Sequence, residues 1–340
     1  MKAQRLQRTA DRLMLGFGLL VLALLGVLPF VSRLDPEVPD PGAAVREVAT
    51  LLRAHALNAG KVNWDAALNQ AQATAASSGR QSALDRALQQ LVAALQDGHS
   101  QYLSSNAAKA YQAPASAGGL SEPTFRVLPA QAGEAPVVEL LSFLSDNPSV
   151  GEQQSKALAQ ALLAVSASQP CGLIVDLTQH HGGNMWPALM GLEALLPTGP
   201  LAYVVKADGS REPITVPPLN GASAALATKQ PVHALAVLIG PGTASSGEFI
   251  AAALQAHPKT RSFGMPSAGL TTGNQLFELK HSGGLLAVAV SKLAGLDGRV
   301  IAGAIEPDVR VDEAQARAAA QAWVAGACGA EKGAGPSAQR

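Results

Sequence analysis

The sequence is poor in aromatic residues, in cysteine and in net charge. Phe, Tyr and Trp make up 4% of its 340 residues, so any core must be built mainly from Ala, Leu and Val. Two cysteines exclude a disulfide-rich scaffold and a cysteine-based zinc finger. The 25 basic and 25 acidic residues cancel, which leaves no positive field for a nucleic-acid backbone. Neither HExxH nor GxxxxGKS/T occurs, so zincin and P-loop readings have no support, and no metal or cofactor is expected. What is there is 48% apolar and 15% charged, which excludes disorder and provides for a large buried core.

The N-terminus sets an expected compartment. Lys2, Arg5, Arg8 and Arg12 precede an apolar run from Leu13 to Val31. At ~1.5 Å rise per residue that run spans roughly 28 Å, about one hydrocarbon core. It ends Leu-Pro-Phe-Val-Ser-Arg, a poor signal-peptidase site. Residues 1–32 therefore read as a cytoplasmic flank and an uncleaved signal anchor, with a cleaved, secreted form as the alternative. The basic flank predicts a single-pass inner-membrane protein whose main domain faces the periplasm.

Residues 33–43 are Pro-rich and acidic and read as a linker. A helical N-terminal subdomain is expected over 44–115. Helices are predicted at 44–58 and 64–78, and a third, capped by Ser82, carries Leu84, Leu88, Leu91 and Leu95 on one face. It should stop at Asp97-Gly98, and 104–123 read as a loose connection. From about 136, short apolar runs alternate with helical stretches. Strands are predicted at Val137–Leu144, Leu173–Val175, Leu201–Val205, Ala234–Ile239, Arg261–Phe263, Gln275–Leu279 and Leu285–Val290. Helices are predicted near 151–167, after Gly182-Gly183, over 246–256 and at Ala314–Val324. The pattern is α/β, with a core over 116–325 and a flexible tail over 326–340.

Two strand-to-helix turns carry chemistry. In the first, a buried strand ending at Asp176 runs into Gly182-Gly183, where backbone N–H groups can face a ligand; a plain tight turn explains the same residues. In the second, Gly240-Pro-Gly-Thr-Ala-Ser245-Ser246-Gly-Glu248 presents two serines at a helix start, as nucleophile or as cap. Among seven histidines, His99 stands out in a polar turn just past a helix end. The adjacent pair His180 and His181 is a weak metal signal and reads as loop surface.

Together these segments resemble the S41 peptidase family, which holds the C-terminal processing proteases, tricorn-like peptidases and interphotoreceptor retinoid-binding protein. The match rests on Leu95-Gln-Asp97-Gly-His99-Ser100, Leu173-Ile-Val-Asp176-Leu with Gly182 and Gly183, Thr243-Ala-Ser245-Ser246-Gly-Glu248, Phe263-Gly-Met-Pro-Ser-Ala-Gly269 and Ala304-Ile-Glu306-Pro307-Asp308. The resemblance implies a crotonase/ClpP-like ββα core behind the helical subdomain and the transmembrane helix. It selects Ser245 as nucleophile, three residues before Glu248, and implies oxyanion donors at Ser246 and at Gly182 or Gly183. Where processing proteases carry a lysine, this chain has Leu270, so His99 is the expected base. Thr178, His180 and Met265 depart from the family's Arg, Asn and Glu. Asp97, Ser100 and Glu306 are the candidates for orienting His99.

No PDZ insertion is evident between the helical part and the core. The expected function is hydrolysis of periplasmic proteins or peptides by a serine endopeptidase anchored through residues 13–31. The alternative is a catalytically weak relative that holds a peptide or apolar ligand in the same cleft. In an oxidising compartment Cys171 and Cys328 are expected to pair, against two free thiols in a reducing one.

Overall fold

A computed structural model describes residues 35–112, 124–128, 130, 133–168, 171–217 and 232–333. The chain divides into two units, Met1–Glu37 and Val38–Arg340, and the elements below belong to the second. The expected anchor over 13–31 lies outside the described residues. Among the described residues no helix is long and apolar enough to cross a membrane.

Helices α1 (Pro41–His55), α2 (Trp64–Ala76) and α3 (Gln81–Ala93) form the N-terminal part. Helix α1 starts three residues earlier than expected. Asp40 Oδ1 accepts the Ala43 N–H at 2.7 Å, and Pro41 occupies the first turn, where its missing N–H costs nothing. The spacing of Leu84, Leu88, Leu91 and Leu95 buries all four against Val45, Val48 and Leu52 of α1. Strand β10 (Leu285–Ala294) adds Leu286 and Val288 to the same cluster. The helical part therefore shares its core with a sheet of the α/β part. After β1 (Gln101–Leu103), helix α4 (Ser105–Gln112) occupies part of the stretch expected to be a loose connection. Residues 113–123 lie outside the described residues.

A six-stranded sheet forms the frame of the second part. Its order is β11 (Val309–Arg310), β8 (Thr260–Gly264), β7 (Ala234–Ile239), β4 (Gly172–Asp176), β3 (Val137–Leu140) and β2 (Phe125–Leu128). All neighbours are parallel except β2 with β3. Strands β4 and β7 are buried along their whole length because helices cover both faces. Leu173, Val175, Leu235, Val237 and Ile239 share a cluster with Leu158, Leu162 and Val165 of α5 (Pro148–Ser168). The cluster also takes in Phe249 and Ile250 of α7 (Ser246–Gln255). The alternate residues Ile174, Ala234, Ala236 and Leu238 meet Ala316, Ala320 and Val324 of α8 (Glu313–Gly333). Small residues on both sides let α8 lie close to the sheet. A short helix, α6 (Trp186–Gly191), follows the Gly182-Gly183 turn.

The second sheet is antiparallel. Strand β10 pairs with β9 (Thr272–Glu278) on one edge, and with β1 and β5 (Ala202–Lys206) on the other; β6 (Arg211–Ile214) continues beyond β5. Strands β1, β2, β6 and β11 were not expected. Each is four residues or shorter, too short for period-2 alternation to mark.

Helix α8 runs on to Gly333, so Cys328 lies on a helix rather than in a tail. Gly326 and Gly329 do not end the helix, because the alanines around them favour it and Ala327 and Cys328 pack against the sheet cluster. Residues 334–340 lie outside the described residues. Cys328 is bridged to Cys171 at the start of β4, with the Cα atoms 5.8 Å apart at a sequence separation of 157. Arg317 of the same helix pairs with Asp176 Oδ2 at 3.3 Å, at the other end of β4. The chain-entropy model gives about 5 kcal/mol for so long a loop, as an upper figure. Thermal melts with and without dithiothreitol should show a lower midpoint on reduction. Cys171→Ala with Cys328→Ala should reproduce that midpoint and abolish its dependence on reductant.

Candidate active site

Adjacent parallel strands bring two turns together. Strands β4 and β7 pair in register from Gly172↔Ala234 to Asp176↔Leu238, so the loops leaving their C-terminal ends emerge side by side. In such sheets that edge is where ligands bind. The β4 loop is braced by Asp176 Oδ1, which accepts the Thr178 N–H at 2.9 Å and the Thr178 hydroxyl at 2.6 Å. Two contacts stitch the turns to each other. Thr243 Oγ1 donates to Leu177 O at 2.9 Å, and the Ala244 N–H donates to His180 O at 3.0 Å.

Ser245 sits at φ 53° and ψ −117°, in a region that L-residues seldom occupy. This is a sharp strand-to-helix turn of the nucleophile-elbow type. Glu248, fully buried, holds the turn. Its carboxylate accepts the Ser245 N–H at 2.9 Å, the Gly269 N–H at 2.8 Å and the Ser267 hydroxyl at 2.5 Å. Burial raises the Glu248 carboxyl above its ordinary range, and these donors oppose the shift. Ser267 Oγ in turn accepts the Ile305 N–H at 2.7 Å.

Gly182 and Gly183 adopt φ of 119° and 107°. A Cβ on Gly182 would lie 3.1 Å from Ser245 Cβ, so this backbone passes directly beside the serine. A Cβ on Gly183 would lie 2.2 Å from Phe143 O, because Gly183 forms a parallel bridge with Phe143. The Ser246 N–H opens α7 and has no acceptor within the helix. The glycine turn and the start of α7 thus both lie next to Ser245.

His99 arrives from the other sheet, in the turn between α3 and β1. Its Nε2 lies 2.9 Å from Ser245 Oγ. Its Nδ1 lies 2.6 Å from the hydroxyl of Thr272, the first residue of β9. The ring is nearly buried, and desolvation lowers its pKa below the ordinary 6.5 although the Asp97 charge pulls the other way. Asp97 accepts the N–H groups of His99 and Ser100 at 3.0 and 2.8 Å, and the Ser100 hydroxyl at 2.6 Å. Ser100 Oγ accepts the Ala289 N–H of β10 at 3.0 Å, and Asn274 Nδ2 donates to His99 O at 3.0 Å.

Asp97 and Ser100 thus hold the backbone of His99, while Thr272 takes the ring nitrogen they were candidates for. Glu306 is directed elsewhere: it is exposed and pairs with Arg310 at 3.6 Å. His180 is buried rather than on the loop surface, and desolvation lowers its pKa to about 4, which keeps it neutral. His181 is exposed, with Nδ1 2.9 Å from Gly242 O. Among the described residues no cluster suited to a metal ion occurs. Lys259, the first lysine after Ser245, lies 3.4 Å from His233 Nδ1.

Residues 137–311 match the family described as Peptidase family S41. The chain belongs to peptidase family S41. Among curated proteins, it is 30% identical over 154 residues to the Nisin-resistance protein of Lactococcus lactis subsp. lactis, covering 43% of this chain and 48% of that one. It is 33% identical over 137 residues to the Carboxyl-terminal-processing protease of Synechocystis sp., covering 40% and 30%. The aligned part is thus under half the length of either relative. Among solved structures, a lipoprotein from Streptococcus agalactiae superposes with a TM-score of 0.69 at 23% identity, over 87% of this chain and 99% of that one. The photosystem II D1 C-terminal processing protease follows with 0.54 at 15% identity, over 81% and 94%. These likenesses establish the mixed α/β S41 fold.

Removing the carboxylate that holds the elbow should uncouple it. Glu248→Ala leaves three donors without their acceptor, the buried Ser267 hydroxyl and two half-buried N–H groups, which should cost about 2–4 kcal/mol in chemical unfolding. Gly182→Ala tests the approach of the glycine turn. Modification of Ser245 by a fluorophosphonate should fall at least about tenfold, because the added Cβ meets the serine and the φ is unfavourable.

Proposed function

We propose that this chain is a serine-type endopeptidase acting on extracytoplasmic proteins or peptides, with Ser245 as nucleophile and His99 as general base. The observation that carries the reading is the 2.9 Å contact between His99 Nε2 and Ser245 Oγ, the reach a general base requires. Two carboxyl-terminal processing proteases among its relatives and fold neighbours support a peptide as substrate.

The chemistry follows from the positions. Ser245 Oγ attacks the carbonyl carbon of a peptide bond while its proton passes to His99 Nε2. The carbonyl oxygen becomes an oxyanion facing the Ser246 N–H and that of Gly182 or Gly183. The C–N bond breaks as Nε2 returns the proton to the leaving amine, which leaves an acyl-serine. Water then attacks the ester, giving its proton to Nε2. Collapse releases the acid as Ser245 regains the proton. A buried imidazole with a lowered pKa is already neutral, and so competent as a base, below pH 6.5.

In this reading residues 13–31 anchor the enzyme in the inner membrane, with the catalytic domain in the periplasm. The basic flank before Leu13, the apolar run itself and the Cys171–Cys328 bridge support that topology. A phosphatase fused at the C-terminus should be active and a cytosolic reporter silent; the reverse result overturns the orientation.

A fluorophosphonate probe should label the wild-type chain at one site. Ser245→Ala should abolish labelling, and His99→Ala should lower its rate by about 10²–10⁴. Among the described hydrogen bonds none joins Thr178, His180 or Met265, the positions that differ from the family motifs, to the Ser245 or His99 side chain. Absence of labelling in the wild type would favour the ligand-binding alternative. The pH profile follows from the sign of the His99 shift. The base works when unprotonated, so the acid limb of kcat/KM should have its midpoint below pH 6.5.

A further inference from the structure

We propose that Thr272 is the third member of a Ser245–His99–Thr272 triad, a neutral positioning residue that fixes the imidazole through Nδ1 where serine hydrolases commonly place a carboxylate. The inference rests on the Ser245–His99 reading above.

The geometry singles out this residue. His99 Nδ1 lies 2.6 Å from Thr272 Oγ1, closer than Nε2 lies to Ser245. Of the three sequence candidates, Asp97 and Ser100 are engaged with the backbone of the same turn and with β10, and Glu306 pairs with Arg310. The threonine is itself placed by the sheet, because β9 pairs with β10 from Thr272↔Lys292 to Glu278↔Leu285. The next residue but one, Asn274, donates to His99 O. One strand therefore grips the histidine twice, once at the ring and once at the backbone.

A hydroxyl differs from a carboxylate in two respects. It carries no charge, so it stabilises the imidazolium that forms during proton transfer less than an aspartate would. It can also donate as well as accept. With Nδ1–H donated to Thr272 Oγ1, Nε2 is free to take the Ser245 proton. With the Thr272 hydroxyl donating to Nδ1, the proton sits on Nε2 and the base is blocked. A carboxylate would permit the first arrangement alone. The charged and polar groups around the ring are Asp97 on its own turn, Ser245 on the elbow, and Thr272 and Asn274 on β9. Lys292 on β10 stands opposite Thr272 and is exposed. Thr272 is thus the position from which a new charge would act most directly on Nδ1.

The test uses the full-length chain and a fluorophosphonate probe, with kinact and KI measured across pH. Thr272→Val removes the hydroxyl at nearly constant volume. It should lower kinact by about 10–100-fold, the cost of a misplaced catalytic group, with KI within about twofold of wild type. Thr272→Ser restores the hydroxyl and should recover most of the rate. Thr272→Asp puts an anion beside Nδ1 and should move the acid limb up by about one pH unit or more. A residue that only packs would leave Thr272→Val at the wild-type rate, since valine keeps the volume, and would show no rescue by serine. Should the valine variant misfold, the aspartate variant decides alone through its acid limb. Wild-type kinact in Thr272→Val, or an unmoved limb in Thr272→Asp, overturns the proposal while labelling of the wild type leaves the Ser245–His99 reading standing. If the wild type is not labelled at all, that reading falls and this inference with it.

Discussion

The buried carboxylate of Glu248 is the interaction on which the site depends. Ser245 is held in a backbone conformation that costs about 1–3 kcal/mol and persists only where the surroundings over-determine it. Glu248 supplies that constraint. It accepts from the amide of Ser245 itself, and from Ser267 and Gly269 in a segment about twenty residues further on. Ser267 passes the constraint to Ile305. Three separate stretches of chain are thereby fastened to one carboxylate, and the serine hydroxyl is left free to face the histidine.

The same economy governs the division of labour between the two sheets. The parallel sheet contributes the serine and the glycine turn, because β4 and β7 are neighbours and their loops leave the same edge. The antiparallel sheet contributes His99 through β1 and Thr272 through β9, both hydrogen-bonded to β10. Strand β10 also closes the core of the N-terminal helices through Leu286 and Val288. The helices therefore bear on the position of His99 although they supply neither member of the Ser245–His99 contact. On the far side, α8 is fixed to both ends of β4 by the disulfide and by Arg317–Asp176, which steadies the strand that carries the glycine turn.

Polar residues near the site divide by environment. His99 and His180 are both nearly buried, and desolvation lowers both pKa values. Only His99 has hydrogen-bonding partners at both ring nitrogens, a serine at one and a threonine at the other. His180 contributes its backbone carbonyl to the elbow instead. Two histidines of similar burial thus serve different ends, decided by what stands opposite each ring.

Much of this was legible along the chain. The leucine spacing in α3 marked a helix with one apolar face, and Ala234–Ile239 was bounded correctly because a fully buried parallel strand is a continuous apolar run ended by Gly-Pro-Gly. The serine pair, His99 and the glycine pair were marked by local patterns of turn and cap residues, and the family resemblance selected Ser245 from the two serines. Thr272 carried no such mark. It lies 173 residues from His99, and no periodicity or turn chemistry links the two. Glu306 and Thr272 were equally available as polar residues, and the register of β9 on β10 chose between them. Local patterning determined which segments became strands, helices and sharp turns, because those follow from contacts a few residues apart. Which nitrogen of which histidine faced which hydroxyl was decided only in the folded molecule, because it depends on how two sheets that share one core cluster, Leu173 and Val237 of one with Ala202 and Leu293 of the other, come to pack together.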